Sequence, residues 1–172
     1  MTRVYLAGPE VFLPDAAAVI AAKCDLTRAA GLIPVAPGDA QVPDDLAPFD
    51  KGLFISRYDE ALMDSADAVI ANLTPFRGIS ADVGTAYELG FMAGRGKPVF
   101  AYTNDARPHA DRIGADGGGF AVERFAMADN LMLHGGVARR GATLVVHDGA
   151  GRIDDLAGFR VALGQAAAAL LG

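Results

Sequence analysis

Tryptophan is absent, cysteine occurs once and histidine three times in 172 residues. The single thiol, Cys24, excludes an intrachain disulfide, and no Cys–His spacing matches a metal site. Cys24 falls in the Ala-rich run AAVIAAKCDL and reads as a small buried thiol on a helix. His109, His134 and His147 are scattered, and read as structural or surface residues rather than catalytic ones. Basic charge is also short. Fifteen Lys and Arg against 21 Asp and Glu leave a net charge of −6, the wrong sign for the basic face of a nucleic-acid binder. No apolar run approaches the roughly 20 residues of a membrane span. The apolar stretch near Met1 is too short for a signal peptide, so the expected location is the cytoplasm.

What is present is apolar bulk in an alternating order. Hydrophobic residues make up 52% and charged residues 21%, which suits one globular domain over 1–172 with a single core. Strand-like runs at 3–8 (RVYLAG), 32–37 (LIPVAP), 68–73 (AVIANL), 97–102 (KPVFAY) and 142–147 (ATLVVH) are separated by helical patterns. Helices are expected at 14–31, closed by Gly31, at 52–67, from about 82 to 94, at 123–133 and at 156–172. In the second of these, Ile55, Tyr58, Leu62 and Met63 form the apolar stripe. Residues 38–50 are Pro- and Asp-rich and could cover a site as a lid. Residues 103–124, with Asp116-Gly117-Gly118-Gly119, read as a mobile loop.

Strands alternating with helices imply an α/β three-layer sandwich around a five-stranded parallel sheet, flavodoxin-like or Rossmann-like in order. Ligands then bind beyond the carboxyl ends of the strands. That edge gathers Gly8 after the first strand, the loop after the second, Asn72 to Ser80 after the third, and Thr103 to Asp105 after the fourth. It also holds the start of SADVGTAYELG (80–90). Strand-loop-helix turns of this kind usually welcome an anion, yet this one carries Asp82 and Glu88.

Asp82 falls in the first helical turn, where a carboxylate caps free N–H groups and suits the helix dipole. Glu88 lies six residues on, about 120° around the helix, among Ala86, Tyr87, Leu89, Phe91 and Met92. It is either a solvent-facing residue or a partly desolvated acid. Asp59, in SRYDEALMDSAD, sits on a helix face that solvent alone would explain. Tyr5 reads as a core aromatic with a bonded hydroxyl, and Asn130 as a residue poorly suited to the helix it occupies.

Together, VYLAGP, DSADAVIANLTPFRG, SADVGTAYELGFMAGRGKPVFAY and ADNLML, in this order and spacing over roughly 3–147, resemble the nucleoside 2-deoxyribosyltransferase family. The resemblance implies transfer of a 2-deoxyribosyl group between nucleobases by retaining double displacement, with no cofactor and no metal. It implies that Glu88 is the nucleophile, that Asp59 protonates the departing base, and that Tyr5 orients Glu88. Asp82 would bind the 5′-hydroxyl. Asn130 would reach the same hydroxyl from a neighbouring subunit, making the protein a homo-oligomer. Its partners would be 2′-deoxynucleosides and free nucleobases, without nucleic acid or membrane.

Two other readings stand beside this one. A hydrolase of 2′-deoxynucleoside 5′-monophosphates would use water as acceptor. Arg77 and Ser80 could hold its phosphate, whereas Asp82 would repel it by about 1–4 kcal/mol at 4 Å. A non-catalytic nucleotide-binding module is allowed by the fold alone. Phe12, Phe49, Phe54 and Phe76 lie in or near the edge loops as candidates to stack on a base.

Overall fold

The central strands are continuous apolar runs: β1 (Arg3–Ala7), β3 (Ala68–Asn72) and β4 (Val99–Thr103), buried apart from Arg3 at one end. Such runs belong to parallel sheets covered on both faces. The computed structural model, which describes residues 1–114 and 117–172, places them at the middle of a five-stranded sheet. Short β2 (Ile33–Val35) and β5 (Val145–Val146) form its edges. All pairings are parallel, in the order β2-β1-β3-β4-β5. This is the flavodoxin-like order, and its chain reversal falls between β1 and β3.

Side-chain alternation divides the core. Val4 and Leu6 of β1 face one layer, where Ile70, Phe100 and Tyr102 pack with Phe159 and Ala162 of the last helix. Tyr5 and Ala7 face the other, with Met63, Leu89, Met92 and Val137. The period of two along a strand therefore turns Tyr5 towards the layer that carries Glu88.

The helices are α1 (Ala16–Ala29), α2 (Pro48–Ser65), α3 (Val83–Gly94), α4 (His109–Arg112), α5 (Leu131–Ala138) and α6 (Ala157–Leu171). Gly31, at φ 83°, closes α1 as expected. Its N–H meets Arg28 O at 2.9 Å and the next N–H, of Leu32, meets Thr27 O at 3.1 Å, the paired bonds of a Schellman ending. Helix α2 starts at Pro48, four residues earlier than expected, because proline is at home in the first helical position. Its contact with the core runs through buried Met63, while Ile55, expected in the apolar stripe, is 42% exposed.

Two expectations require correction. The stretch 123–133 is not one helix. Asn130 has non-helical backbone and its Oδ1 accepts the Met132 N–H at 2.9 Å, so it caps α5, which begins at Leu131. An Asn that disfavours a helix interior is well suited to that position. Within 103–124, α4 forms a helical turn and residues 117–119 a 3-10 turn; Asp116 lies outside the described residues. Among the described residues no helix is long and apolar enough to cross a membrane.

Candidate active site

The acids of the sheet edge meet at the reversal between β1 and β3. Glu88 projects from α3 towards β1, where the Tyr5 hydroxyl donates to its Oε1 at 2.7 Å. Tyr5 is fully buried. Burial and the neighbouring Glu88 charge raise its pKa far above the ordinary value, which keeps the phenol a donor. The bond occupies one carboxylate oxygen of Glu88, Oε1.

Glu88 itself is pushed up to about 7. Burial is the main cause, the Tyr5 hydrogen bond opposes it, and the charges of Asp59, Asp82 and Glu10 add to it. Asp59, half-buried on α2, is also raised by burial, and its charge acts on both Tyr5 and Glu88. Burial thus holds both carboxyls protonated to higher pH than in water.

Asp82 caps α3 rather than lying in its first turn. Its Oδ2 accepts the Thr85 N–H at 3.0 Å and the Thr85 hydroxyl at 3.3 Å. The cap uses Oδ2 alone. Ser80 is tied to His109, with Oγ 2.9 Å from Nε2. The Arg77 backbone is left-handed at φ 53°, and its guanidinium lies 4.7 Å from the Phe12 ring and 4.6 Å from the Phe76 ring. Those rings stack at 5.2 Å, so the sequence candidates Phe12, Phe76 and Arg77 form one assembly. Phe49 is 75% exposed and Phe54 half-buried.

Gly8 is required by close approach. A Cβ there would lie 1.9 Å from Glu10 Oε2 and 3.0 Å from Asn72 Cβ. Glu10 is part of a buried network that the sequence did not reveal. Its Oε1 accepts from Lys23 at 2.7 Å, Asn72 at 3.0 Å and Tyr102 at 3.0 Å. Lys23 also lies over the Phe159 ring at 4.9 Å. The network joins α1 to the ends of β3 and β4 beneath Gly8. A glutamate and a lysine 13 residues apart, both enclosed, were the available signal, but only packing shows that they pair.

The other titratable expectations resolve simply. His134 Nδ1 accepts the Ala128 N–H, His147 lies 3.3 Å from Asp155, and Cys24 is half-buried. Cys24 borders a cavity of about 470 Å³ between α1 and the segment after β2, which contains none of the acids around Glu88. Among the described residues no group of three or more His, Cys, Asp or Glu side chains is arranged to hold a metal ion.

Comparison with known proteins places this arrangement. A family model described as nucleoside 2-deoxyribosyltransferase matches residues 4–132, a span that includes Tyr5, Asp59, Asp82, Glu88 and Asn130. The structure of a 2-desoxiribosyltransferase from Leishmania mexicana is similar over 98% of both chains, with a TM-score of 0.73 and 30% identity. A conserved protein from Enterococcus faecalis, at 23% identity and a TM-score of 0.63 over 96% of this chain and 99% of that one, shares the fold. An uncharacterised Schizosaccharomyces pombe protein is 40% identical over 113 residues, which are 64% of this chain and 54% of that protein. The chain therefore spans about half the length of that curated relative.

Proposed function

This chain belongs to the nucleoside 2-deoxyribosyltransferase family, and we propose that it exchanges the base of a 2′-deoxynucleoside through a covalent intermediate on Glu88. The observation that carries the reading is the Tyr5–Glu88 hydrogen bond with Asp59 and Asp82 in electrostatic reach. Departure of a base builds oxocarbenium-like charge at C1′, and a carboxylate beside it stabilises and traps that charge.

Ionised Glu88 attacks C1′ through Oε2 while the C1′–N bond breaks. The bonding pair leaves with the base, which takes its proton from Asp59. In the second step Asp59 recovers a proton from the incoming base, whose nitrogen attacks C1′ and displaces Glu88. Two inversions retain the β configuration. Tyr5 holds Oε1 and so orients the nucleophile. Asp82, through Oδ1, accepts the 5′-hydroxyl, and its charge disfavours a 5′-phosphate. Gly8 lets Glu10 pack beneath the strand ends on which the sugar would rest, and the Phe12–Phe76 stack borders the base.

A second copy of the chain completes the site in this reading. Between α3 and α5 runs a mainly apolar groove lined by Ala86, Leu89, Gly90, Leu131 and Met132, the last two exposed, next to Asn130 at the start of α5. That face suits self-association and would carry Asn130 to a neighbour's 5′-hydroxyl.

The test is chromatographic, with 2′-deoxyinosine as donor and adenine as acceptor. Wild type should form 2′-deoxyadenosine, and Glu88→Ala should form none. Hypoxanthine with free deoxyribose, at a rate indifferent to adenine, would replace transfer by hydrolysis and bring the monophosphates forward as substrates. Binding without any bond cleavage would favour a non-catalytic module.

A further inference from the structure

Helix α4 is a single turn in a polar excursion between β4 and α5, yet one of its side chains is among the most enclosed charges in the molecule. The Arg112 side chain is 2% exposed. Its Nε donates to Ile79 O at 2.7 Å, Nη1 to Arg107 O at 3.0 Å, and Nη2 to Ala128 O at 2.7 Å and to Asp129 Oδ2 at 3.2 Å. The Asp129 side chain is 1% exposed. Its Oδ2 also accepts the Ala81 N–H at 3.0 Å, and its Oδ1 accepts the Asn130 N–H at 2.7 Å. His109, three residues before Arg112 and so on the same side of the turn, adds a second arm. Its N–H donates to Met127 O at 2.8 Å and its Nε2 meets Ser80 Oγ at 2.9 Å.

Two segments are thereby fastened to one guanidinium. Residues 79–81 lead directly into Asp82, and residues 127–129 lead directly into Asn130. Both fastened segments are irregular backbone, without a helical or sheet ladder to hold them. Only a planar fork with several donors reaches three carbonyls and a carboxylate at once; a lysine ammonium cannot reproduce that geometry.

We propose that Arg112, acting through Asp129, is a positioning residue for recognition of the substrate's 5′-hydroxyl, fixing Asp82 for its own site and Asn130 for the neighbour's. The inference rests on the deoxyribosyl-transfer reading. Arg112 touches no reacting atom in it. Loosening the clasp lets both hydroxyl partners drift while leaving Glu88, Tyr5 and Asp59 on their own elements, so the loss falls on KM. It is confined to substrates that have a 5′-hydroxyl.

The experiment compares wild type with Arg112→Lys on 2′-deoxyadenosine and on 2′,5′-dideoxyadenosine, with hypoxanthine as acceptor. Arg112→Lys should raise KM for 2′-deoxyadenosine about tenfold with kcat nearly unchanged, the size of a hydrogen bond to a charged group. On the 5′-deoxy substrate the two proteins should converge. An equal loss on both substrates, or a loss in kcat alone, would show that Arg112 only maintains the fold. His109→Gln, which cuts the less enclosed arm, should give the same pattern more weakly if Arg112→Lys does not fold. Kd values measured by calorimetry with the same two nucleosides separate the two readings. If wild type moves no base but Arg112→Lys weakens only the 5′-hydroxyl nucleoside, transfer fails and the positioning role stands. If the variant binds both nucleosides as wild type does, the positioning role fails.

Discussion

At the residue scale the proposed transfer is controlled by the charge on Glu88. Its carboxyl is raised to about 7, chiefly by burial and secondarily by like charges, against the pull of the Tyr5 hydrogen bond. A nucleophile must be ionised, so kcat/KM should rise with pH through that value on its acid side. Removing the phenol in Tyr5→Phe removes the one influence that favours the carboxylate. The acid limb of the pH profile should therefore move to higher pH, by about one pH unit, which a profile with 2′-deoxyinosine and adenine reads directly. Glu88 stood out as a glutamate among apolar neighbours inside SADVGTAYELG, though whether it was desolvated stayed open, and its pairing with Tyr5 was implied only by the family resemblance. Glu10 and Arg112 did not stand out. Each is a charge made safe by partners far along the chain, and linear spacing does not show which distant groups enclose a side chain.

At the element scale, the start of α3 explains why acids stand where an anion is usually welcomed. Asp82 satisfies a free backbone N–H with one oxygen, and in the proposed function the other presents an acceptor to a hydroxyl instead of donors to a phosphate. The two roles separate by substitution. Asp82→Asn preserves a good cap and should change stability little, whereas Asp82→Ala should lose about 1 kcal/mol in denaturant melts. Asp82→Asn should also move the acid limb of Glu88 to lower pH, because it removes one of the charges that raise that carboxyl. The central strands were legible as uninterrupted apolar runs, and their alternation with helices indicated a parallel sheet. The boundary at Asn130 was missed because FAMADNLML keeps an apolar rhythm across the break. The physical signal was present in Asn130 itself, a poor interior residue and a good cap. Pro48 similarly marked the true start of α2.

At the scale of the whole molecule, the proposed shared site makes the exposed apolar face of α3 and α5 the surface to test. Met132 is 71% exposed and Val83 85% exposed, so a charge at Met132 should leave the fold of one chain intact. Met132→Asp should shift sedimentation towards the monomer and reduce transfer, most strongly at low protein concentration, where association is weakest. Unchanged assembly with full activity would remove that face from the site. Sequence reasoning reached an oligomer only through resemblance, because the patch is assembled from two helices some 40 residues apart in the chain.

The most direct test of transfer through Glu88 is to capture the intermediate. The protein is mixed with 2′-deoxyinosine, quenched in acid within the first turnovers, digested and analysed by mass spectrometry. The expected result is one deoxyribosyl group esterified to Glu88, released as a nucleoside when adenine is added before the quench. Base exchange that proceeds with no adduct on Glu88, or with the sugar on another residue, would contradict it.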